Sequence, residues 1–525
     1  MKTLPHLLLP YVLLGAIGAA PGHAQPDHNP VIWADVPDPA LLRVGDTYYM
    51  SSTTMHMVPG LPIMKSKDLL NWEILNYAHE VLADNDAHNL VDGQSAYGAG
   101  SWASSLRYHD GLYYVSTFAQ STGKTHVYTT PDIEHVPWKE MSFEPMLHDN
   151  SLFFDDDGRV YMLYGNDDFY LAELEPDASG LKPGGFHEVV IEDASAIAGD
   201  HIALGAEGAQ LRKVDDWYYL LSITWPHGGM RTVLVHRAKS LKGPWEGRVA
   251  LQDRGIAQGC LIDTPDGDWY AYLFQDSGAV GRIPYLVPVH WEDGWPVIGI
   301  DGKVPMRLEI DAENRGMDPI VASDDFTRGA DEPALPLVWQ WNHNPVDSHW
   351  SVQEAPGALR LTTSHLAEHV LAARNTLTQR TFGPQSRAET TLDISAMKPG
   401  DVAGLLALQR HYGFVAVERT DDGASLIMVN AGGDAPELVE RIPLEVDHLH
   451  LRLHCDFRDL RDEATFAYSL DGQTWHPIGD TLQMSYTLPH FMGYRFGLFN
   501  YATKETGGWV DFEAFRLFNA EGEQL

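Results

Sequence analysis

Short runs of alternating apolar and polar residues, separated by turns rich in Asp and Gly, occupy most of the chain. Runs such as LYYVSTF and WYYLLSITW have the period of two that is typical of half-buried β-strands. Helical periodicity is weak throughout, and the chain has no long Leu-rich or Ala-rich heptad stretch. The pattern therefore predicts an all-β protein.

Five segments repeat one pattern. Each has a first strand, then an acidic turn, and then an aromatic pair that opens a second strand. The segments begin at Asp38, Ala103, Asp149, Glu207 and Gln258, so successive starts differ by 65, 46, 58 and 51 residues. Asp and Gly turns between β-prone runs are the sequence signal of hairpins. Radial repeats of about 40–65 residues are typical of β-propellers. The five repeats therefore predict a five-bladed β-propeller over residues 25–300.

The character of the chain changes after the fifth repeat. Residues 301–323 have the composition of a linker with some extended structure. From residue 324 onward, evenly spaced strand candidates such as SRAETTLDI and YRFGLFNYAT alternate with turns. This spacing predicts an antiparallel β-sandwich over residues 324–525, so the expected architecture is a propeller followed by a sandwich.

The first 24 residues have the composition of a secretory signal peptide. Lys2 provides a positive start, residues 7–20 are mainly apolar, and residues 22–24 (GHA) offer a small-x-small cleavage site. The apolar run is short for a membrane span and contains Pro10, so an N-terminal anchor helix is the weaker alternative. We expect the mature protein to be exported to the periplasm or the extracellular space.

Charge and cysteine content limit the classes of partner and cofactor. The 36 Lys and Arg residues against 73 Asp and Glu residues give a formal net charge of −37. Nucleic acid and anionic membrane surfaces require a positive protein surface, so we expect neither as a partner. Cys260 and Cys455 fall in different predicted domains, which disfavours a disulfide, and the chain has no Cys/His zinc pattern.

The first position of the repeat carries the candidate chemistry. It holds Asp38, Asp149 and Glu207 in three repeats, with Ala103 and Gln258 in the other two. Equivalent positions on the innermost strands of a propeller face the central axis, so we expect the three acids to converge at one end of the channel. Neighbouring carboxyl groups push their pKa values apart, which leaves one protonated and another ionised. Hydrolysis of a glycosidic bond requires such a pair.

The motifs around these acids resemble glycoside hydrolase family 43. PDPALL, HDNSLFFDDDGRVYMLYG and AEGAQL follow in the family's order, and GYRFGLFNYATKETGGWVDFEAF resembles the jelly-roll, concanavalin-like sandwich of its β-xylosidase-type members. The resemblance implies an inverting mechanism with Asp38 as general base, Glu207 as general acid and Asp149 as modulator of the pKa of that acid. It also implies that Trp102 packs on the sugar in the −1 subsite, and that Arg282 in the motif GRIPYL reaches the same sugar and the catalytic carboxylates.

The fifth repeat departs from the family pattern. Members often have, at or near the position of Gln258, a histidine that helps to hold a central calcium ion through water, and GIAQGC has none. We expect Gln258 to bind substrate and no cofactor to be required. A structural calcium ion remains an open alternative, with oxygen ligands from turn aspartates or from Asp511.

The leading functional hypothesis is an exo-acting glycosidase. It would release xylose or L-arabinofuranose from the non-reducing ends of xylo- or arabino-oligosaccharides, and both pentoses stay open because loop shape decides between them. One alternative is a retaining propeller hydrolase or transferase acting on fructans, in which Asp38 would be a nucleophile. The other is a secreted carbohydrate-binding protein without catalytic activity, which the presence of all three acids disfavours.

Overall fold

The computed structural model describes residues 29–525 except 311, 313, 330 and 434. The predicted signal peptide at residues 1–24 lies outside this range. Within the described residues, 36 β-strands and five 3₁₀-helices make up the regular structure, and no α-helix occurs. In that same part of the chain, no helix has the length and apolar character needed to cross a membrane.

The N-terminal half folds into five four-stranded antiparallel sheets, in which the strands pair in sequence order; only the first sheet leaves out one short strand, β3. The first sheet contains β1 (Ala40–Val44), β2 (Thr47–Ser51), β4 (Gly60–Ser66) and β5 (Glu73–His79). The second contains β6 (Ser105–His109), β7 (Leu112–Ala119), β8 (Lys124–Thr130) and β9 (Lys139–Phe143). The third contains β10 (Ser151–Phe154), β11 (Val160–Asn166), β12 (Asp168–Leu174) and β13 (His187–Ile191). The fourth sheet contains β14 (Ile202–Val214), β15 (Trp217–Pro226), β16 (Thr232–Ala238) and β17 (Glu246–Leu251). The fifth contains β18 (Ala257–Asp263), β19 (Trp269–Asp276), β20 (Arg282–Glu292) and β21 (Trp295–Ile298).

The first strands of the five sheets form the inner ring of a propeller. Strands β1, β6, β10, β14 and β18 contact one another in a closed circle around the central channel. Each opens a hairpin that closes at a predicted acidic turn; at Asp110 and Gly111 both φ angles are positive (47° and 82°), as tight hairpin turns require. The prediction of a five-bladed propeller is confirmed.

The C-terminal half folds into two eight-stranded sheets. One contains β3 (Met57–Val58), β22 (Gln340–Asn342), β25 (Leu377–Arg380), β27 (Asp401–Leu408), β28 (Gly413–Thr420), β29 (Gly423–Asn430), β30 (Glu437–Leu444) and β35 (Arg495–Ala502). The other contains β23 (Trp350–Ser351), β24 (Leu359–Thr362), β26 (Gln385–Asp393), β31 (His448–Asp456), β32 (Glu463–Ser469), β33 (His476–Pro477), β34 (Leu482–Gln483) and β36 (Trp509–Phe518). The 3₁₀-helices span Ala194–Ala198, Gly278–Val280, Asp347–His349, Val370–Ala372 and Arg458–Leu460.

Burial along the sandwich strands shows where this core lies. Strand β26 alternates between buried and half-buried positions, as its sequence SRAETTLDI predicts. Strands β27 and β35 are buried at every position, because one face packs inside the sandwich and the other is covered by a second apolar cluster that includes Met57 and Met492. The predicted β-sandwich is confirmed.

Backbone hydrogen bonds join the propeller to the sandwich, and the sequence pattern does not indicate them. Strand β3 lies within the first blade but pairs with β22 of the sandwich, with Val58 opposite Trp341. The segment before β35 docks on the propeller as well: the amide of Gly493 donates to Asp35 Oδ2 (3.0 Å), and the amide of Tyr494 donates to the Ala279 carbonyl (2.9 Å). This docking places residues of the sandwich beside the propeller channel.

The predicted linker runs back over the propeller. The amide of Val304 donates to Asp253 Oδ2 (3.0 Å), and the carbonyl of Met306 accepts a hydrogen bond from the Asn29 amide (2.8 Å). The last propeller strand ends at Ile298 and the next strand, β22, begins at Gln340. The connection is therefore held against the first domain by hydrogen bonds.

Candidate active site

The five repeat positions meet at one end of the channel. Asp38, Ala103, Asp149 and Gln258 line a single small cavity on the propeller axis, together with Gly208, the neighbour of Glu207. Asp38 and Asp149 come two residues before an inner strand and adopt left-handed backbone conformations, with φ of 51° and 46°. Both side chains line the cavity, and left-handed conformations at non-glycine residues are found most often at functional sites.

Glu207 and Gln258 reach the same place from inside their strands. The pairing of β14 with β15 shifts register on both sides of Glu207, and that of β18 with β19 shifts next to Gln258, whose φ is 55°. Such bulges change the direction in which a strand side chain points. Three acids far apart in sequence are thereby brought together, as the repeat predicts.

Asp38 is paired with an arginine. Both of its oxygens accept hydrogen bonds from Arg282 Nη1 (3.1 Å each), and Oδ2 also accepts one from the Thr53 hydroxyl (2.6 Å). Both side chains of this ion pair are almost fully buried. Burial alone would lower the pKa of Arg282, but the charge of Asp38, together with smaller contributions from neighbouring acidic groups, outweighs burial and the pKa is raised. The arginine implied by the resemblance therefore lies directly on the candidate base.

Glu207 has different partners from Asp38. Its Oε2 accepts a hydrogen bond from Asn166 Nδ2 (2.9 Å) and lies 3.4 Å from His148 Nε2. Asn166 can approach because residue 205 is glycine: a Cβ there would lie 2.8 Å from Asn166 Oδ1. In contrast to Asp38, Glu207 has no arginine or lysine partner within the described residues.

Asp149 is buried between these groups. Its Oδ2 accepts a hydrogen bond from the Gly208 amide (2.7 Å), which ties it to the strand that carries Glu207. Burial raises the pKa of Asp149 to about 7, and the charges of Glu207 and Asp38 act in the same direction, whereas His148 opposes them. An ionised Asp149 therefore depends on a neighbouring positive charge.

His148 is a site residue that the sequence analysis missed. Its Nε2 lies 3.4 Å from Glu207 Oε2 and 3.8 Å from Asp149 Oδ2. Burial alone would lower the pKa of His148, but the charges of Asp149 and Glu207 outweigh it and raise the pKa to about 9. The only signal in the sequence is its place directly before Asp149.

An aromatic wall borders the acids. Trp102 stacks on Phe491 with ring centroids 5.0 Å apart, and the Arg282 guanidinium lies over the Phe491 ring at 4.8 Å. Arg282 Nη2 also donates to the Phe491 carbonyl (3.2 Å). The structure shows Trp102 beside Phe491, and its contact with the sugar stays a prediction. Phe491 comes from the sandwich segment before β35, and no local motif indicates it.

The residues considered for calcium make other contacts. The Gln258 side chain packs against Gly208: a Cβ added at residue 208 would lie 2.7 Å from Gln258 Cγ. Gln258 also brings an amide rather than a carboxylate to the channel. Both oxygens of Asp511 accept hydrogen bonds from Arg360 (2.8 and 2.7 Å). Calcium takes six to eight oxygen ligands, and neither residue offers a set of free oxygens that fits this ion. Cys260 and Cys455 are free and buried, which agrees with the expectation of no disulfide.

Two family models match the chain. The model of glycosyl hydrolases family 43 covers residues 28–296, and the model of the β-xylosidase C-terminal concanavalin A-like domain covers residues 323–517. Together they span the propeller and the sandwich.

Individual relatives match over most of the chain. It is 29% identical to a β-xylosidase of Formosa agariphila over 93% of its own length and 89% of that protein. It is 28% identical to a non-reducing end α-L-arabinofuranosidase of Bacteroides ovatus, over 81% of this chain and 82% of the relative. A solved structure described as a bifunctional GH43-CE protein of Bacteroides eggerthii superposes with a TM-score of 0.92 at 58% identity; the match covers 93% of this chain and 63% of that one.

Proposed function

Because this chain belongs to glycosyl hydrolase family 43 and is a glycosidase, we propose that it removes single pentose residues from hemicellulose oligosaccharides with inversion. Its substrates would be xylo- or arabino-oligosaccharides, from whose non-reducing ends it would release xylose or L-arabinofuranose. The N-terminal composition supports export of the protein to the periplasm or the extracellular space.

The contrast between two carboxyl groups carries this proposal. Asp38 is paired through both oxygens with Arg282, which favours the ionised form of a base. Glu207 has an amide and an imidazole as neighbours instead, and Asp149 is within reach of it. Two carboxyl groups at one end of the channel, of which one is paired with an arginine and the other is not, have the arrangement expected of an acid–base pair.

In the proposed reaction, Asp38 accepts a proton from water while the water oxygen attacks the anomeric carbon. Glu207 gives its proton to the glycosidic oxygen, and the bond between that oxygen and the anomeric carbon breaks. Water enters on the face opposite to the leaving group, so the configuration of the anomeric carbon inverts.

The contribution of the sandwich supports an exo-acting mode. Phe491 and Trp102 form an aromatic wall on the side of Arg282, where the sandwich docks on the propeller. A wall at this place closes one side of the pocket, which favours binding of a chain end over the middle of a polymer. Relatives named β-xylosidase and α-L-arabinofuranosidase support a pentose in the −1 subsite.

A panel of 4-nitrophenyl glycosides tests the substrate. We expect turnover of the β-D-xyloside, the α-L-arabinofuranoside or both, with little turnover of the corresponding hexosides. Asp38→Asn is the matched control, because the amide is nearly isosteric but cannot accept the proton from water. Preference for a hexoside, or equal rates in wild type and Asp38→Asn, would contradict the proposal.

A further inference from the structure

The hydrogen bonds to Glu207 are unevenly distributed between its two oxygens. Oε2 accepts from Asn166 Nδ2 (2.9 Å) and faces His148 Nε2 at 3.4 Å. Within the described residues, no hydrogen bond reaches Oε1. A carboxyl oxygen that faces two N–H donors cannot carry the acidic proton without bringing hydrogens together. The proton of a neutral Glu207 therefore belongs on Oε1, which is free to meet a leaving group.

His148 is fixed in the position from which it acts on Oε2. Its carbonyl accepts a hydrogen bond from the Gly165 amide of β11 (3.0 Å), and its ring packs edge-on against Phe118 (5.0 Å between centroids). Phe118 in turn contacts Trp102 of the aromatic wall (5.8 Å). The imidazole therefore has a defined place beside the pocket.

In the part of the chain that the structure describes, the charged groups that act on His148 are negative. Asp149 precedes the inner strand of its own blade, Glu207 belongs to the next blade and Asp38 to the first, and all three favour the charged imidazole. Phe118 on β7, which packs against the ring, is uncharged, and so is Asn166 on β11, which shares Glu207 Oε2 with His148. The side chain is also one-third exposed, so its charge is partly hydrated. These surroundings keep His148 as an imidazolium at neutral pH.

We propose that His148 is a positioning residue of this glycosidase, whose imidazolium orients Glu207 with its proton on Oε1 and stabilises the carboxylate formed when that proton leaves. In the step concerned, the Oε1–H bond breaks and the proton joins the glycosidic oxygen, which also takes the electron pair of the breaking bond to carbon. His148 keeps its own proton throughout. The inference rests on the proposed role of Glu207 as the general acid.

The positive charge of His148 also affects the pKa of Asp149. Burial favours the neutral form of this carboxyl, and the positive charge of His148 opposes that effect. Without the imidazolium, the buried acids would hold their protons to higher pH. The position of the alkaline limb of the pH–rate profile is therefore a direct readout of this charge.

The test compares His148→Gln, which is neutral, with His148→Lys, which keeps a positive charge. We measure kcat/KM against pH on an activated aryl pentoside, and kcat at the optimum on substrates with good and poor leaving groups. In His148→Gln the alkaline limb should move up by roughly one pH unit. The kcat on poor leaving groups should fall roughly ten- to hundredfold, because a charge-assisted hydrogen bond to the developing carboxylate is lost. In His148→Lys the limb should stay near its wild-type position.

Parallel measurements separate this inference from the assignment of Glu207. If Glu207→Gln shows no loss that depends on the leaving group, the acid itself is misassigned. If Glu207→Gln behaves as expected but the limb of His148→Gln stays in place or moves down, the role of His148 is overturned. An equal shift in the Gln and Lys variants would overturn it as well, because it would show that charge is not the cause.

A measurement on the unaltered protein does not depend on the variants folding. The imidazole of His148 can be followed by NMR in histidine-labelled protein, with the His148→Gln spectrum as the assignment control. We expect its resonance to titrate with a pKa near 9. A midpoint at or below the ordinary value of about 6.5 would show a neutral imidazole at working pH and would overturn the proposal.

Discussion

Three buried histidines at the junction of propeller and sandwich should make the protein sensitive to acid. His56 of the propeller lies with its ring centroid 4.7 Å from His343 and 6.1 Å from His490, both from the sandwich. His490 stacks in parallel on Tyr97 at 4.1 Å, and the Nδ1 atoms of all three histidines are buried without a hydrogen-bond partner among the described residues. Protonation of any of these rings would place an unpaired charge in the interface.

The direction and size of the effect follow from the depressed pKa values. Burial lowers the pKa of His490 to about 3, with Arg410 and His411 acting in the same sense, and burial holds those of His56 and His343 well below 6.5. The folded state therefore binds fewer protons than the unfolded one. The stability contribution is fully present above about pH 6.5 and is lost as the pH falls towards the folded value. At pH 5.5, one unit below 6.5, each histidine lowers the free energy of unfolding by about 1.4 kcal/mol, and the three together lower it by about 4 kcal/mol.

The substitution His490→Phe isolates one of these contributions, since phenylalanine keeps the ring that stacks on Tyr97 but cannot bind a proton. Urea unfolding followed by tryptophan fluorescence at pH 7.5 and pH 5.5 gives the change in the free energy of unfolding. The loss between these pH values should be smaller in His490→Phe than in wild type by about 1.4 kcal/mol. His369→Phe, at an exposed position in the sandwich, is the control and should match wild type. Equal pH dependence in wild type and His490→Phe would refute this reasoning.

Three substitutions in the site have distinct expected outcomes. Glu207→Gln should lower kcat on substrates with poor leaving groups by roughly 10²–10⁴-fold but spare a dinitrophenyl glycoside, and an equal, slight loss on both would contradict its role as acid. Asp149→Asn removes a negative charge that helps Glu207 to keep its proton, so the alkaline limb of kcat/KM should move to lower pH; a limb that stays or rises would require another role for Asp149. Phe491→Ala removes the ring that stacks on Trp102 and should raise KM more than it lowers kcat, whereas an unchanged KM would place the sugar away from this wall.

The sequence predicts what is repeated and local. The five hairpins share turn residues and aromatic pairs, so the propeller and the convergence of Asp38, Asp149 and Glu207 could be inferred from spacing alone. The ion pair between Asp38 and Arg282 joins the first blade to the fifth, and it was expected only because a known family has an arginine in that motif. A repeat pattern cannot indicate such a contact, because it occurs once.

Other features of the site depend on how the two domains dock. Phe491 reaches Trp102 from a segment nearly four hundred residues further along the chain, and its position is set by the pairing of β3 with β22 and by the contact between Gly493 and Asp35. The two-residue strand β3 is too short to leave a sequence pattern. His148 was missed for a different reason, since a single histidine beside an acidic residue has no periodicity that distinguishes it from a surface residue.

The most direct test of the proposed mechanism is the configuration of the first product. Asp38 as a base that activates water requires inversion at the anomeric carbon, whereas Asp38 as a nucleophile would give retention through a glycosyl-enzyme intermediate. Proton NMR spectra recorded within the first minutes of hydrolysis of the preferred nitrophenyl pentoside, before mutarotation, distinguish the two anomers. We expect the released sugar to appear first as the anomer opposite to that of the substrate. Initial release of the anomer with the configuration of the substrate would contradict the assignment of Asp38 as general base.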